Sequence, residues 1–179
     1  VVSDDQKGAV TEPICRDAVG AVALTVGTGH ACVRLDMGGF TCWGERYYGQ
    51  LGVASTDKAD VPPPGTLTGL PGKVSDIVAG AGHTCALTDN GRVFCFGLNN
   101  VGQISEAPAP EHILSPYERP GLAGRVVALG SGPSATHTCA VLKDGGVECW
   151  GRNHRGQLGD APTKAIDQRF SNAAVRVAF

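Results

Sequence analysis

The fold is decided by GHTCALTDNGRVFCFGLNNVGQIS, residues 82–105, because the same pattern recurs on either side of it. GHACVRLDMGGFTCWGERYYGQLG occupies residues 29–52, and THTCAVLKDGGVECWGRNHRGQLG occupies residues 136–159. In each, a histidine leads an apolar run, two cysteines stand ten positions apart around a glycine, and an aromatic-Gly pair precedes Gly-Gln. The cysteine pairs are Cys32 and Cys42, Cys85 and Cys95, and Cys139 and Cys149, with midpoints at Met37, Asn90 and Asp144. Folding the middle unit about its midpoint sets Ala86 against Phe94 and Leu87 against Val93, the pairing of a β-hairpin. Gly38, Gly91 and Gly145 fall one place past the midpoint, where a three-residue hairpin loop calls for the left-handed conformation that glycine adopts without strain.

The same register brings the two cysteines of each unit directly opposite one another, within bonding reach, and predicts three cross-strand disulfides. Each closes a short loop and stabilises by roughly 2 to 3 kcal/mol on the chain-entropy estimate. A metal site is the competing reading. His30 and Cys32, His83 and Cys85, and His137 and Cys139 are two apart on a strand and share a face, so with the second cysteine each unit could present three zinc ligands. Disulfides are preferred because no fourth ligand recurs and pairing uses all six sulfurs. They imply an oxidising compartment, hence an extracellular, cell-surface or periplasmic protein. Cys15 has no counterpart in the repeat. It is a free thiol, a link to another chain, or the partner of a cysteine beyond this sequence.

His30, His83 and His137 are 53 and 54 residues apart, a period that matches propeller blades. Composition agrees with many short strands joined by turns: the 179 residues include 26 glycines and 11 prolines, and long helical periodicity is missing. With 42% hydrophobic and 18% charged residues the chain is unlike a disordered tail, and 15 basic against 17 acidic side chains give no electrostatic reason to bind nucleic acid. No apolar run approaches the roughly 18 residues of a membrane span, and VVSDDQKGAV lacks the features of a signal peptide, so no membrane insertion is expected.

AVALTVG from Ala21, VSDIVAG from Val74 and RVVALG from Arg125 read as the opening strands of three units, and AAVRVAF from Ala173 reads as the opening strand of a fourth. The expectation is an all-β chain of three blades, each a four-stranded antiparallel sheet, forming an open arc or part of a larger ring or assembly. Residues 1–17 form an extension or the last strand of a preceding blade (TEPIC, from Thr11), 18–70, 71–121 and 122–172 the three repeats, and 173–179 the fourth opening strand. VPPPGTLTGLPG from Val61 and APAPEHILSPYERPGLAG from Ala107 are connectors holding the outer edge strand, where proline is tolerated.

These units resemble the regulator of chromosome condensation propeller repeats, in the cysteine-paired form common in secreted bacterial proteins. The resemblance covers Ala18 to Gly159 and rests on a Trp-Gly-x-Asn-x-x-Gly-Gln-Leu-Gly string, present as WGERYYGQLG from Trp43, FGLNNVGQIS from Phe96 and WGRNHRGQLG from Trp150. Arg46 replaces the asparagine kept as Asn99 and Asn153, and Ser105 replaces the glycine kept as Gly52 and Gly159, which predicts altered loops in the first two blades. Members of the family commonly close with seven blades. Some are guanine nucleotide exchange factors and others secreted propellers that inhibit an enzyme, and both roles stand as alternatives.

Within the string, Trp43, Phe96 and Trp150 are expected as core aromatics between blades, and Gln50, Gln103 and Gln157 as partners of turn backbone. The sequence carries no phosphate loop, no H-E-x-x-H and no G-x-S-x-G, so the expectation is a non-catalytic scaffold without cofactor or metal, acting through a protein partner or self-association. Contact residues are sought where the repeats differ: Arg46, Tyr47 and Tyr48, then Asn99 and Asn100, then Arg152, His154 and Arg155.

Overall fold

The structure, a computed structural model, describes residues 20–53, 65–66, 70–105, 110–159 and 170–178. Cys15 and the rest of residues 1–19 lie outside the described residues. Among the described residues, twelve strands form three four-stranded antiparallel meanders. The first blade holds β1 (Ala21–Val26), β2 (His30–Leu35), β3 (Phe40–Gly44) and β4 (Gly65–Thr66). The second holds β5 (Val74–Ala79), β6 (His83–Thr88), β7 (Val93–Leu98) and β8 (His112–Glu118). The third holds β9 (Val126–Gly130), β10 (His137–Leu142), β11 (Val147–Arg152) and β12 (Phe170–Arg176). The sheets do not close into a ring, so the chain is a partial propeller. Among the described residues no helix is long and apolar enough to cross a membrane.

The middle hairpins follow the register read from the sequence. Cys32 faces Cys42, Cys85 faces Cys95 and Cys139 faces Cys149. All three pairs are disulfide-bonded, with Cα atoms 4.1 Å apart, the close spacing of non-hydrogen-bonded positions. Gly38, Gly91 and Gly145 turn the hairpins with φ of 85°, 84° and 87°. The outer strands β4 and β8 lie in the two proline-rich connectors, and Pro116 sits within β8, whose outer edge needs no donor from it.

One assignment is corrected. The segment from Ala173, expected to open a fourth blade, belongs to β12 and closes the third: Val175 pairs with Cys149 much as Tyr117 pairs with Cys95. The alanines and valine of residues 173–175 suit an opening strand such as AVALTV as well as an outer one. What decides between them is the free edge of β11, which β12 satisfies.

Blades pack face to face through two apolar clusters. Cys32, Phe40, Cys42 and Leu51 on the forward face of the first blade meet Val74, Ile77, Ala86 and Phe96 on the rear of the second. Cys85, Leu87, Val93, Cys95 and Ile104 on the forward face of the second meet Val126, Ala140, Leu142 and Trp150 of the third. Phe96 and Trp150 are fully buried between blades, while Trp43, on the rear face of the first blade, is only half-buried.

Polar groups stitch the same junctions. His30 Nε2 bonds Thr84 Oγ1 of the next blade at 2.8 Å, and His83 Nε2 bonds Thr138 Oγ1 at 2.8 Å. Val74 N donates to Gly38 O and Val126 N to Gly91 O, so each hairpin turn receives the opening strand of the following blade. The imidazoles of His30 and His83 lie so close over Gly27 and Gly80 that a Cβ there would collide with the ring. In the third blade the segment between β9 and β10 runs from Ser131 to Thr136, against three residues in the other two. Its extra length reaches both earlier blades: Ala135 O accepts from Ala81 N and Pro133 O from the Thr28 hydroxyl, 2.6 Å away.

Candidate protein-binding surface

The residues that vary between blades lie on the loop that follows the third strand. All three copies of this loop emerge at the end of the propeller opposite the hairpin turns. The loop is held from within by its glutamine. Gln50 Oε1 accepts from Tyr48 N, Gln103 Oε1 from Val101 N and Gln157 Oε1 from Arg155 N, each at 2.9 Å. The backbone of the first two loops also receives the next blade: Thr84 Oγ1 donates to Gln50 O at 2.8 Å and the Trp150 indole to Gln103 O at 2.9 Å. A loop bound at both levels is a rigid platform, and its outward side chains are presented with little entropy left to lose.

Two of the candidate side chains come together with one that sequence reasoning missed. Tyr47, 43% exposed, and the half-buried Tyr48 meet edge to face at a centroid distance of 5.0 Å. The His112 ring stands 5.7 Å from Tyr47 and 5.3 Å from Tyr48, also edge to face. Arg46, half-buried, precedes them on the same loop. Tyr48 also packs over Gly82 of the second blade, so the cluster bridges the first junction. His112 lies in the proline-rich connector and has no repeat counterpart, hence no pattern flagged it. Its place follows from β8, which sets it opposite Leu98 at the end of β7.

Asn99, expected at a contact surface, is instead buried and builds its own turn: Oδ1 accepts from Ile104 N at 3.0 Å and Ser105 N at 3.2 Å, and Nδ2 donates to Ser105 Oγ at 3.0 Å. Asn153 accepts from Leu158 N in the same way. Ser105 thereby explains its own departure from the repeat. Gly52 and Gly159 have φ of 72° and 68°, whereas no described non-glycine residue has positive φ, so the second loop ends differently and the serine hydroxyl locks onto Asn99. We expect Asn99→Ala to cost about 1–3 kcal/mol, since it strands two buried N–H groups, and Asn100→Ala to stay within about 0.5 kcal/mol. Thermal melting of the two variants checks this.

Asn100 is exposed and accepts from Gln103 Nε2 at 3.1 Å. Arg152, His154 and Arg155 are exposed on the third loop, where Gln157 Nε2 lies 3.4 Å from His154 Nδ1. Desolvation, then the neighbouring Arg152 and Arg155, lowers the His154 pKa, so at neutral pH the positive charge of this loop comes from the two arginines. The blades therefore present different chemistry at equivalent places: aromatic on the first, amide on the second, cationic on the third. The six cysteines that a zinc site would require are consumed in disulfides, and His30 and His83 point to threonines.

Comparison with known proteins gives the family. Two profiles, both described as "Regulator of chromosome condensation (RCC1) repeat", match residues 74–103 and 126–157 and residues 42–87. Human E3 ubiquitin-protein ligase HERC2 is 34% identical over 136 residues, covering 75% of this chain but 3% of its own length. The Arabidopsis thaliana ultraviolet-B receptor UVR8 is 29% identical over 136 residues, covering 76% of this chain and 30% of its own. The chain thus spans less than a third of either relative. Among solved structures, human WBSCR16 superimposes with a TM-score of 0.76 at 22% identity, covering 89% of this chain and 39% of that one. Yeast RCC1 (Prp20), solved bound to Kap60, gives 0.75 at 18% identity, covering 89% and 37%.

Proposed function

Because the chain belongs to the regulator of chromosome condensation (RCC1) repeat family, we propose that it is a non-catalytic protein-binding scaffold of an oxidising, extracellular setting, completed by self-association or a larger assembly. The observation that carries the reading is the cluster of Tyr47, Tyr48 and His112 beside Arg46: large rings and a guanidinium held on a backbone-bonded loop. Tyrosine and arginine on a rigid support are the anchors that dominate protein interfaces. Three disulfides support the oxidising setting. Yeast RCC1, which shares the fold, is solved bound to the protein Kap60, which supports a protein partner as a possibility for this chain.

A photo-crosslinking residue at position 47 is expected to capture a protein partner from the native extracellular fraction, and one at Met37, 80% exposed at the opposite end, to capture none. The variant Tyr47→Ser, at the exposed ring of the cluster, should weaken binding to the captured partner at least about thirty-fold, as loss of a hot spot of about 2 kcal/mol or more does, with melting little changed. Equal capture from both ends would refute the site.

A further inference from the structure

The segment Ser131–Thr136, between β9 and β10, bonds two blades beside its own. Opening strands converge on the propeller axis, β5 touching both β1 and β9, so the loops that follow them crowd the axial side of this end. In the first two blades that loop is Gly27–Gly29 or Gly80–Gly82, whereas Ser131–Thr136 passes over the second blade and reaches the first. It is pinned along its length. Ser131 Oγ donates to His137 O at 3.1 Å and Ala135 N to Gly132 O at 2.8 Å, which shapes the segment from within. From outside, Ala81 N donates to Ala135 O at 2.8 Å and Thr28 Oγ1 to Pro133 O at 2.6 Å, the second bond joining blades that are not neighbours. A Cβ on Gly80 would stand 2.8 Å from Ala135 O, so glycine there lets the segment lie directly on the second blade.

The same stretch of the second blade carries a tyrosine. Ala81 N is bonded to the segment, and the next residue, Gly82, lies under Tyr48, whose Cδ2 is 3.1 Å from where a Cβ would be. One peptide unit therefore separates the axial segment from the aromatic cluster. The residues between and beside them, Thr28, Gly29, Ala81, Pro133 and Ser134, are exposed or half-exposed and carry no charge. Glu45 marks the border, its side chain lying along Gly29. Gly29 itself has no side chain to hold a partner's backbone away.

We propose that Ser131–Thr136 is the axial half of the partner-binding surface, and that the protein anchored by Tyr47 lays an uncharged extended segment across Thr28, Gly29 and Ala81, between the tyrosines and Pro133–Ser134. This rests on the scaffold reading above and deepens it by naming the chemistry of the contact. The two walls of the strip belong to different blades and run from the outer connector of His112 to the axis, a span suited to a polypeptide. The strip is uncharged because a charge laid on Thr28 and Ala81 would lose its water with only a hydroxyl and backbone to receive it. Bonds to three blades hold the axial wall in place before binding, so little ordering is left to cost affinity.

The test places a photo-crosslinking residue at position 134, and separately at position 47, in the full chain exposed to the native extracellular fraction, and reads the crosslinked peptides by mass spectrometry. Both positions are expected to attach to one protein, within one continuous uncharged stretch. With that protein purified, Ser134→Arg and Ser134→Glu should each weaken binding at least about ten-fold, and Ser134→Ala less than about two-fold, because only the first two bury an unpaired charge in the contact. Ser134 is exposed, so none of the three should move the melting temperature. Thr28→Val, which frees Pro133 O, should weaken binding about three- to ten-fold through the ordering it adds. Attachment to different proteins, indifference to all three Ser134 variants, or tighter binding with one sign of charge overturns the inference. In each of those cases capture at position 47 leaves the scaffold reading standing, whereas no capture at position 47 removes both.

Discussion

Opening the three disulfides is expected to unfold the protein at temperatures where the oxidised form is fully native. Each bridge spans ten residues across a hairpin and contributes roughly 2 to 3 kcal/mol by limiting the unfolded chain. Together they amount to roughly 6 to 9 kcal/mol, against a total stability of about 5–15 kcal/mol for an ordinary domain. The bridges are also packing elements. Cys32, Cys85 and Cys95 are fully buried and belong to the clusters that join the blades, so losing a bond loosens a junction as well as a hairpin. Reduction should be ordered. Cys139 alone among the six is appreciably exposed, so a mild reductant should open Cys139–Cys149 first and leave the buried pairs intact until the fold gives way. Alkylation followed by mass spectrometry should show two modified cysteines before six, with most of the fall in melting temperature coming at the second stage. A reduced chain that melts where the oxidised one does would mean that packing alone holds the hairpins.

The three bridges themselves are legible in the sequence, and the reasons are local. The middle hairpin of each blade could be read because cysteine pair, midpoint and turn glycine constrain the same register independently. The outer strands could not. Residues 173–176, AAVR, and an opening strand such as Ala21–Val26, AVALTV, are both rich in alanine and valine, and the unsatisfied edge of β11 distinguishes their roles. The turn glutamines are legible because they recur, whereas variation between loops does not separate a surface residue from Asn99, which is buried and bonds its own turn. Arg46 in fact marks a loop that dispenses with the asparagine. The aromatic cluster was half-read: Tyr47 and Tyr48 differ from their counterparts, while His112 reaches them from a connector some 64 residues on, a distance only the sheet topology closes. The histidine–threonine bonds also left a signal, in the alternation Ala31, Thr84, Thr138 at the position after each histidine. It is intelligible only once consecutive blades are seen to share a bond.

Those bonds lead to a second large effect, a steep loss of stability in mild acid. Thr84 gives its hydroxyl proton to Gln50 O, so it must accept from His30, which fixes the proton of the neutral imidazole on Nε2. Nδ1 is then a buried lone pair, and neither His30 nor His83 has a hydrogen-bonding partner there among the described residues. Adding a second proton puts charge on an atom with nothing to receive it. Burial accordingly lowers the His30 pKa to about 4, and burial first, then the neighbouring His30 and His137, lowers that of His83 to about 3. In the unfolded chain both take up protons near 6.5. Between that value and the native ones the unfolded state binds more protons, so the stability due to the neutral rings is complete above pH 6.5 and is lost as pH falls toward 4 and then 3. With both groups engaged the slope approaches about 2.7 kcal/mol per pH unit near pH 5, enough to exhaust an ordinary domain within a few units. The exposed carboxylates Glu118 and Asp144, held below their usual range by hydrogen bonds, titrate lower still and leave the window from pH 6 to 4.5 to the histidines. Urea unfolding at pH 7.5, 6, 5 and 4.5 should therefore show midpoints that hold steady and then drop sharply. His83→Gln should flatten that drop by about half while lowering stability at pH 7.5, because an amide keeps a donor for Thr138 but cannot take up the proton. Equal midpoints at pH 7.5 and 5 would show that the rings are reached by water and that the blades are not joined through them.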